Sequence, residues 1–137
     1  MKVFAVYDTN VLVSALISKQ SDTAVVLAVE SLFNGNVTPL YNDEIIAEYK
    51  EVLNREKFNL PDNLTESIIS YIKSNGISSE RLPSAEEFPD PDDIDFYEVA
   101  MSKEDTFLIT GNTKHFPKSP IVVTPAEFLQ KMGKLLQ

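Results

Sequence analysis

The chain has 137 residues, 43% of them hydrophobic and 24% charged, so residues 1–137 are expected to form one folded domain that buries roughly two-thirds of its unfolded surface. The lack of cysteine excludes disulfides, thiolate catalysis, iron–sulfur clusters and cysteine-based zinc sites, and the single histidine, His115, excludes a histidine-rich metal centre, which leaves carboxylates as the well-stocked chemistry. Twelve Lys and Arg against 21 Asp and Glu give a formal net charge of −9, which opposes broad adhesion to nucleic acid unless several acids face one another across divalent cations that invert the local potential.

Residues 2–7 form a continuous β-branched and aromatic run without alternation, the pattern of a central parallel strand buried on both faces. Its apolar part, Val3–Tyr7, is too short for a signal-peptide core or a membrane span and has only Lys2 as a preceding charge, so a cytoplasmic location with no membrane partner is expected. It ends abruptly at Asp8. Residues 11–17 then predict a short helix, 23–33 a longer one closed by Asn34-Gly35, and 37–41 a second strand. Asn42 is a good N-cap for a helix over 43–54, residues 64–75 predict another amphipathic helix ending at Gly76, and 77–82 read as a short strand or a loop. After the segment 83–89, a helix over 91–102 leads into a strand over 106–110, a loop, a short strand over 121–124 and a final helix over 125–135 with proline at its start. Strands alternating with helices predict a parallel sheet covered on both sides, with ligands bound beyond the carboxyl ends of the strands.

Asp8 stands directly after the first strand, in Val6-Tyr7-Asp8-Thr9-Asn10-Val11, and is either a ligand at the sheet edge or an N-cap for the next helix. On the helix over 43–54, Ile45, Tyr49, Val52 and Leu53 form one apolar stripe. At about 100° per residue Glu48 falls on its flank, while Glu44 and Glu51 point further out. Glu48 can therefore reach the edge of the core, the alternative being a solvated carboxylate paired with Arg55 or Lys50. The densest acidic cluster is Phe88-Pro89-Asp90-Pro91-Asp92-Asp93-Ile94-Asp95. Asp90 before Pro91 makes an N-cap followed by proline at the first helical position, and Asp92 and Asp95 complement the helix dipole. Asp93 differs, because Tyr97, Ala100 and Met101 lie four, seven and eight residues beyond it and place it in an inward stripe. An unpaired charge there is costly and a metal ion is a natural partner, with Asp92 as the fallback.

A second buried-type strand ends in Leu108-Ile109-Thr110-Gly111-Asn112 at the same edge. Thr110 and Asn112 can hydrogen-bond a ligand, a water or a neighbouring carboxylate, or simply stabilise the loop. Lys114, His115 and Lys118 follow as a local cationic patch that suits a phosphate backbone, or as solvated surface charges.

Taken together, the run Asp8–Leu16, Glu48 within 44–53, Asp90-Pro91-Asp92-Asp93 with Ala100, and Leu108-Ile109-Thr110-Gly111-Asn112 resemble the PIN-domain family over nearly the whole chain. More narrowly, they resemble its branch of toxin components from bacterial and archaeal toxin–antitoxin pairs. The resemblance implies a three-layer α/β/α sandwich with a central, mostly parallel sheet, and Mg²⁺- or Mn²⁺-dependent cleavage of RNA. It also implies frequent homodimers and an antitoxin protein as partner. By the same resemblance Asp8, Glu48 and Asp93 match the first three acids of the family's catalytic, metal-holding site; Asn10, Thr110 and Asn112 are expected beside them as polar groups that position water or phosphate. The fourth acidic position, usually Asp, is Asn112 here, and a further acidic position three residues on is His115. Losing one negative charge weakens a second metal more than the first, since Mg²⁺ is often held by one or two carboxylates plus water and phosphate.

Two other readings compete. The incomplete acidic set also fits a catalytically weak or inactive PIN-like module that binds RNA or protein. A receiver domain or a haloacid-dehalogenase-type phosphatase likewise places Asp after its first strand. The phosphatase pattern wants a second Asp where Asn10 stands, however, and no phosphorylated Asp after a middle strand is found for a receiver.

Overall fold

The computed structural model describes residues 3–88 and 90–135; Lys2 and Pro89, which fall within the expected first strand and the loop before the acidic cluster, lie outside them. Five strands, β1 (Val3–Tyr7), β2 (Val37–Tyr41), β3 (Ile77–Ser78), β4 (Thr106–Ile109) and β5 (Val122–Val123), form one parallel sheet in the order β3-β2-β1-β4-β5. The helices are α1 (Thr9–Ile17), α2 (Ala24–Phe33), α3 (Asp43–Leu53), α4 (Leu64–Asn75), α5 (Ile94–Met101) and α6 (Pro125–Leu135). α2 packs against α1 and α6, and α3 packs against α4 and α5, so two helical groups enclose the sheet in a three-layer α/β/α sandwich. No helix among the described residues is long and apolar enough to cross a membrane.

The unalternating apolar run of β1 has the burial it predicts, with Ala5, Val6 and Tyr7 inside along with Leu108 and Ile109 of β4. The β1–β4 register, Phe4 opposite Thr106 through Tyr7 opposite Ile109, brings both strands to the same edge together. Helix starts follow local chemistry. The Asn42 side chain accepts the Ile45 N–H at 2.8 Å, and Thr124 and Glu127 cap α6 reciprocally at 2.9 and 3.2 Å around Pro125. Gly76 ends α4 where backbone meets backbone: a Cβ there would lie 2.5 Å from the Ile72 carbonyl oxygen and 2.6 Å from that of Pro39.

Three expectations change. α1 begins at Thr9, two residues earlier than its apolar periodicity suggests, because Asp8 is the cap. The strand expected within 77–82 shrinks to Ile77–Ser78, and the chain then runs as an irregular strap over 79–88. The helix expected over 91–102 divides into a 3-10 turn, Pro91–Asp93, followed by α5. Its inward face is Phe96, Tyr97, Val99 and Ala100, whereas Met101 is exposed, so Asp93 precedes the apolar stripe rather than standing within it. The tight turn set by Asp90 and Pro91 rotates Asp93 out of the register that a continuous helix would give it.

Candidate active site

Asp8 closes β1 and opens α1. Its N–H donates to the Ile109 carbonyl at 2.9 Å, continuing the β1–β4 ladder by one step, and its Oδ1 accepts the Asn10 N–H as a helix cap. Its Oδ2 accepts the Thr110 hydroxyl at 2.8 Å. Cap and edge carboxylate are thus one side chain, only 7% exposed. Burial raises its pKa, opposed by the Thr110, Asn10 and Thr9 hydrogen bonds and by His115. Thr110 is itself held, its N–H on the Val123 carbonyl at 2.9 Å and its hydroxyl accepting the Asn112 N–H at 3.1 Å.

Glu48 arrives on α3, which the buried Tyr49 pins to the end of β1 by donating its hydroxyl to the Tyr7 carbonyl. The Thr9 hydroxyl donates to Glu48 Oε2. Burial raises the pKa of Glu48; the Thr9 hydrogen bond lowers it, and the charges of Asp8, Asp92 and Asp95 raise it. Arg55 does not pair with Glu48 but with Glu51, one turn along the helix, at 2.7 Å. Thr9 is buried and does the positioning, a role foreshadowed in the sequence only by its place beside Asp8.

Asp93 is the most exceptional of the acids. Its Oδ2 is buried without a hydrogen-bond partner, and His115 Nδ1 lies 3.7 Å away. Burial first, then the charges of Asp8 and Asp90, push its carboxyl up to about 6, with His115 opposing and Glu48 adding to the rise. Asn112 Nδ2 lies 3.0 Å from His115 Nε2; with the amide donating there, the Nδ1 proton faces Asp93.

One cleft of about 340 Å³ is lined by Asp8, Asn10, Asp90, Asp93, Gly111, Asn112 and His115. It opens beyond the carboxyl ends of β1 and β4, where parallel sheets bind ligands. Glu48, behind Thr9, is not on its wall, and among the described residues no three Asp, Glu or His side chains converge closely enough to cage a metal ion. Lys114 and Lys118 line a neighbouring cleft of about 430 Å³ with Phe116 and Glu127, so the cationic patch adjoins the acids without facing them. A cleft of about 770 Å³ lies at the α3–α4 connection around Asn59 and Asn63 and contains none of the strand-end residues.

A family model described as PIN domain matches residues 5–114, which span β1 through the turn after β4. The chain belongs to the PIN-domain family. PIN domains are generally nucleases and typically use divalent metals. Neither curated proteins nor solved structures give a significant match. In this PIN domain the matched span contains Asp8, Glu48, Asp93, Thr110 and Asn112. At this edge one Asp93 oxygen is unpaired, Asp8 is nearly buried, and burial pulls three carboxyl pKa values upward.

Proposed function

We propose that the chain is a divalent-metal-dependent endoribonuclease and the toxin component of a toxin–antitoxin pair, acting at the Asp8–Asp93 cleft. The observation that carries the reading is the buried, partnerless Asp93 Oδ2 in the cleft that Asp8 also lines. A carboxylate oxygen without a donor is costly to bury, and a cation is the partner that compensates it.

In this reading Asp8 and Asp93 hold Mg²⁺ or Mn²⁺, and Glu48 serves as a third carboxylate. When bound, the ion lowers the pKa of water and stabilises charge on the phosphoryl oxygens. Thr110 fixes the orientation of Asp8, Thr9 restrains Glu48, and Asn10 and Asn112 offer amide groups for phosphate or water. His115 brings a proton-bearing ring against Asp93, and Lys114 and Lys118 extend the surface toward an RNA backbone. The cognate antitoxin protein and a homodimer complete the proposal.

Comparing cleavage of varied RNAs by wild type and Asp8→Asn, each with Mn²⁺ and with EDTA, tests it. Metal-dependent cleavage lost in Asp8→Asn is expected; equal activity of the two clean preparations removes Asp8 from the chemistry. Asn112 in the fourth place, with no ready cage of three ligands among the described residues, favours a second reading, a weak or inactive module that binds RNA or protein. Absence of both Mn²⁺ binding and cleavage would select it.

A further inference from the structure

We propose that Arg81 is a positioning residue that sets the spacing between Glu48 and Asp93; the inference rests on the proposed cation site. Arg81 lies on the strap that follows β3. Its Nη1 lies 3.1 Å from Glu44 Oε2 and 2.8 Å from Asp95 Oδ1, and its Nε donates to Glu98 Oε1 at 2.8 Å. Glu44 stands one helical turn before Glu48 on α3, while Asp95 and Glu98 follow Asp93 on α5. One guanidinium therefore ties together the two helical segments that present the second and third acids.

The tie is more than a surface pair. Glu98 is 5% exposed and also accepts the Ser84 N–H at 2.6 Å, and the Leu82 N–H donates to the Glu98 carbonyl at 3.0 Å, so the strap is bound along α5. Further along, Phe88 packs edge-on against Tyr97 and Phe116, joining the strap to the loop that carries His115. Three carboxylates crowd one side chain whose planar fork reaches all of them, a geometry that a lysine ammonium cannot copy. Without the guanidinium, Glu44 and Asp95 repel between α3 and α5, and buried Glu98 keeps the Ser84 N–H but loses its cation. The gap between these helices separates Glu48 on α3 from Asp93 at the start of α5, so its width sets how near the third carboxylate of the proposed site stands to the Asp8–Asp93 cleft.

Mn²⁺ binding to the metal-free full chain, followed by calorimetry, tests the proposal in wild type, Arg81→Gln, Glu48→Gln, the double variant and Arg81→Lys, with circular dichroism to verify folding. Arg81→Gln is expected to weaken Mn²⁺ binding about tenfold or more. That loss should shrink to within about twofold in the Glu48→Gln background, because the two residues act as one unit. Arg81→Lys should recover folding stability more fully than Mn²⁺ affinity. A folded Arg81→Gln that binds Mn²⁺ like wild type overturns the proposal, as does an equal loss with and without Glu48. If Arg81→Gln does not fold, Glu44→Gln carries the test, since it releases only the α3 arm and leaves Glu98 paired; unchanged Mn²⁺ affinity there is also fatal. A wild-type chain that fails to bind Mn²⁺ is a different result, and removes the cation site itself.

Discussion

Replacing Asp93 by asparagine separates what this carboxylate does to the fold from what it does for a cation. In the metal-free protein its carboxyl moves from 3.8 to about 6. Between those pH values the folded chain keeps a proton that the unfolded chain has released. The contribution of Asp93 to stability is therefore favourable in acid and is lost as the pH rises through about 6. Each tenfold change in proton affinity is worth about 1.4 kcal/mol, so the shift corresponds to at most about 3 kcal/mol. The side chain is 15% exposed and partly screened, which brings the expected effect to about 1–2 kcal/mol. Asparagine keeps the volume and cannot ionise. Metal-free Asp93→Asn should then unfold at a temperature about 3–6 °C above wild type near pH 7.5, an advantage that vanishes near pH 4. Thermal melts by circular dichroism in EDTA across this range measure it directly. Saturating Mn²⁺ should reverse the order, because a ligand bound only by the native state stabilises it in proportion to its affinity. A variant less stable than wild type in EDTA near pH 7.5 would refute the reasoning, for it would mean that the fold holds the Asp93 carboxylate favourably without a cation.

Other substitutions probe the scaffold around this carboxylate. Thr110→Val keeps the shape but removes the hydroxyl that donates to Asp8 at 2.8 Å; urea unfolding near pH 7.5 should show a loss of about 1.5–3 kcal/mol, the scale of a hydrogen bond to a charged group. Gly76→Ala forces a methyl against two carbonyl oxygens and should destabilise by about 1–3 kcal/mol, whereas Gly133→Ala, with open space around it in α6, should stabilise by about 0.5–1 kcal/mol in the same assay. Asn112→Asp adds a carboxylate to the cleft wall, so it should tighten Mn²⁺ binding in calorimetry while lowering the melting temperature in EDTA; a change of the same sign in both would contradict the electrostatic account.

The sheet was legible because its signals are local. An unbroken run such as Val3–Tyr7 has no reading in a half-exposed strand, and caps such as Asn42 and Thr124-Pro125 mark helix starts within a residue or two. The strap after Ser78 was not legible, since what holds it is the long-range contact of Arg81 and Ser84 with Glu98 and no periodicity encodes it. A signal existed: a Glu inside Phe96-Tyr97-Glu98-Val99-Ala100 has to find a partner, and the chain contains only twelve lysines and arginines to supply one. Asp93 shows the opposite case. Its burial was expected from a helical stripe and arises instead from a 3-10 turn, so the residue stands out on grounds that periodicity alone misstates. Thr9 was hidden for a third reason, because its hydrogen bond to Glu48 spans 39 positions of sequence.

The distribution of cations among these acids gives the net charge of −9 a meaning it lacks as a total. Arg81 permanently occupies the space between Glu44, Asp95 and Glu98. A few residues away Asp8 receives a hydroxyl and a backbone N–H, Glu48 receives a hydroxyl, and Asp93 Oδ2 receives no hydrogen bond; among the described residues no lysine or arginine pairs with any of the three, and a half-exposed His115 at 3.7 Å faces Asp93. Burial raises the pKa of all three, which is the signature of carboxylates held at the expense of stability. Two acid groups of similar composition are thus treated oppositely, one closed by a covalently tethered cation and the other left open at the sheet edge. Under the function proposed here, that asymmetry would leave the open group to be filled by a divalent cation, whose charge would offset the negative potential that a polyanionic substrate meets at the sheet edge.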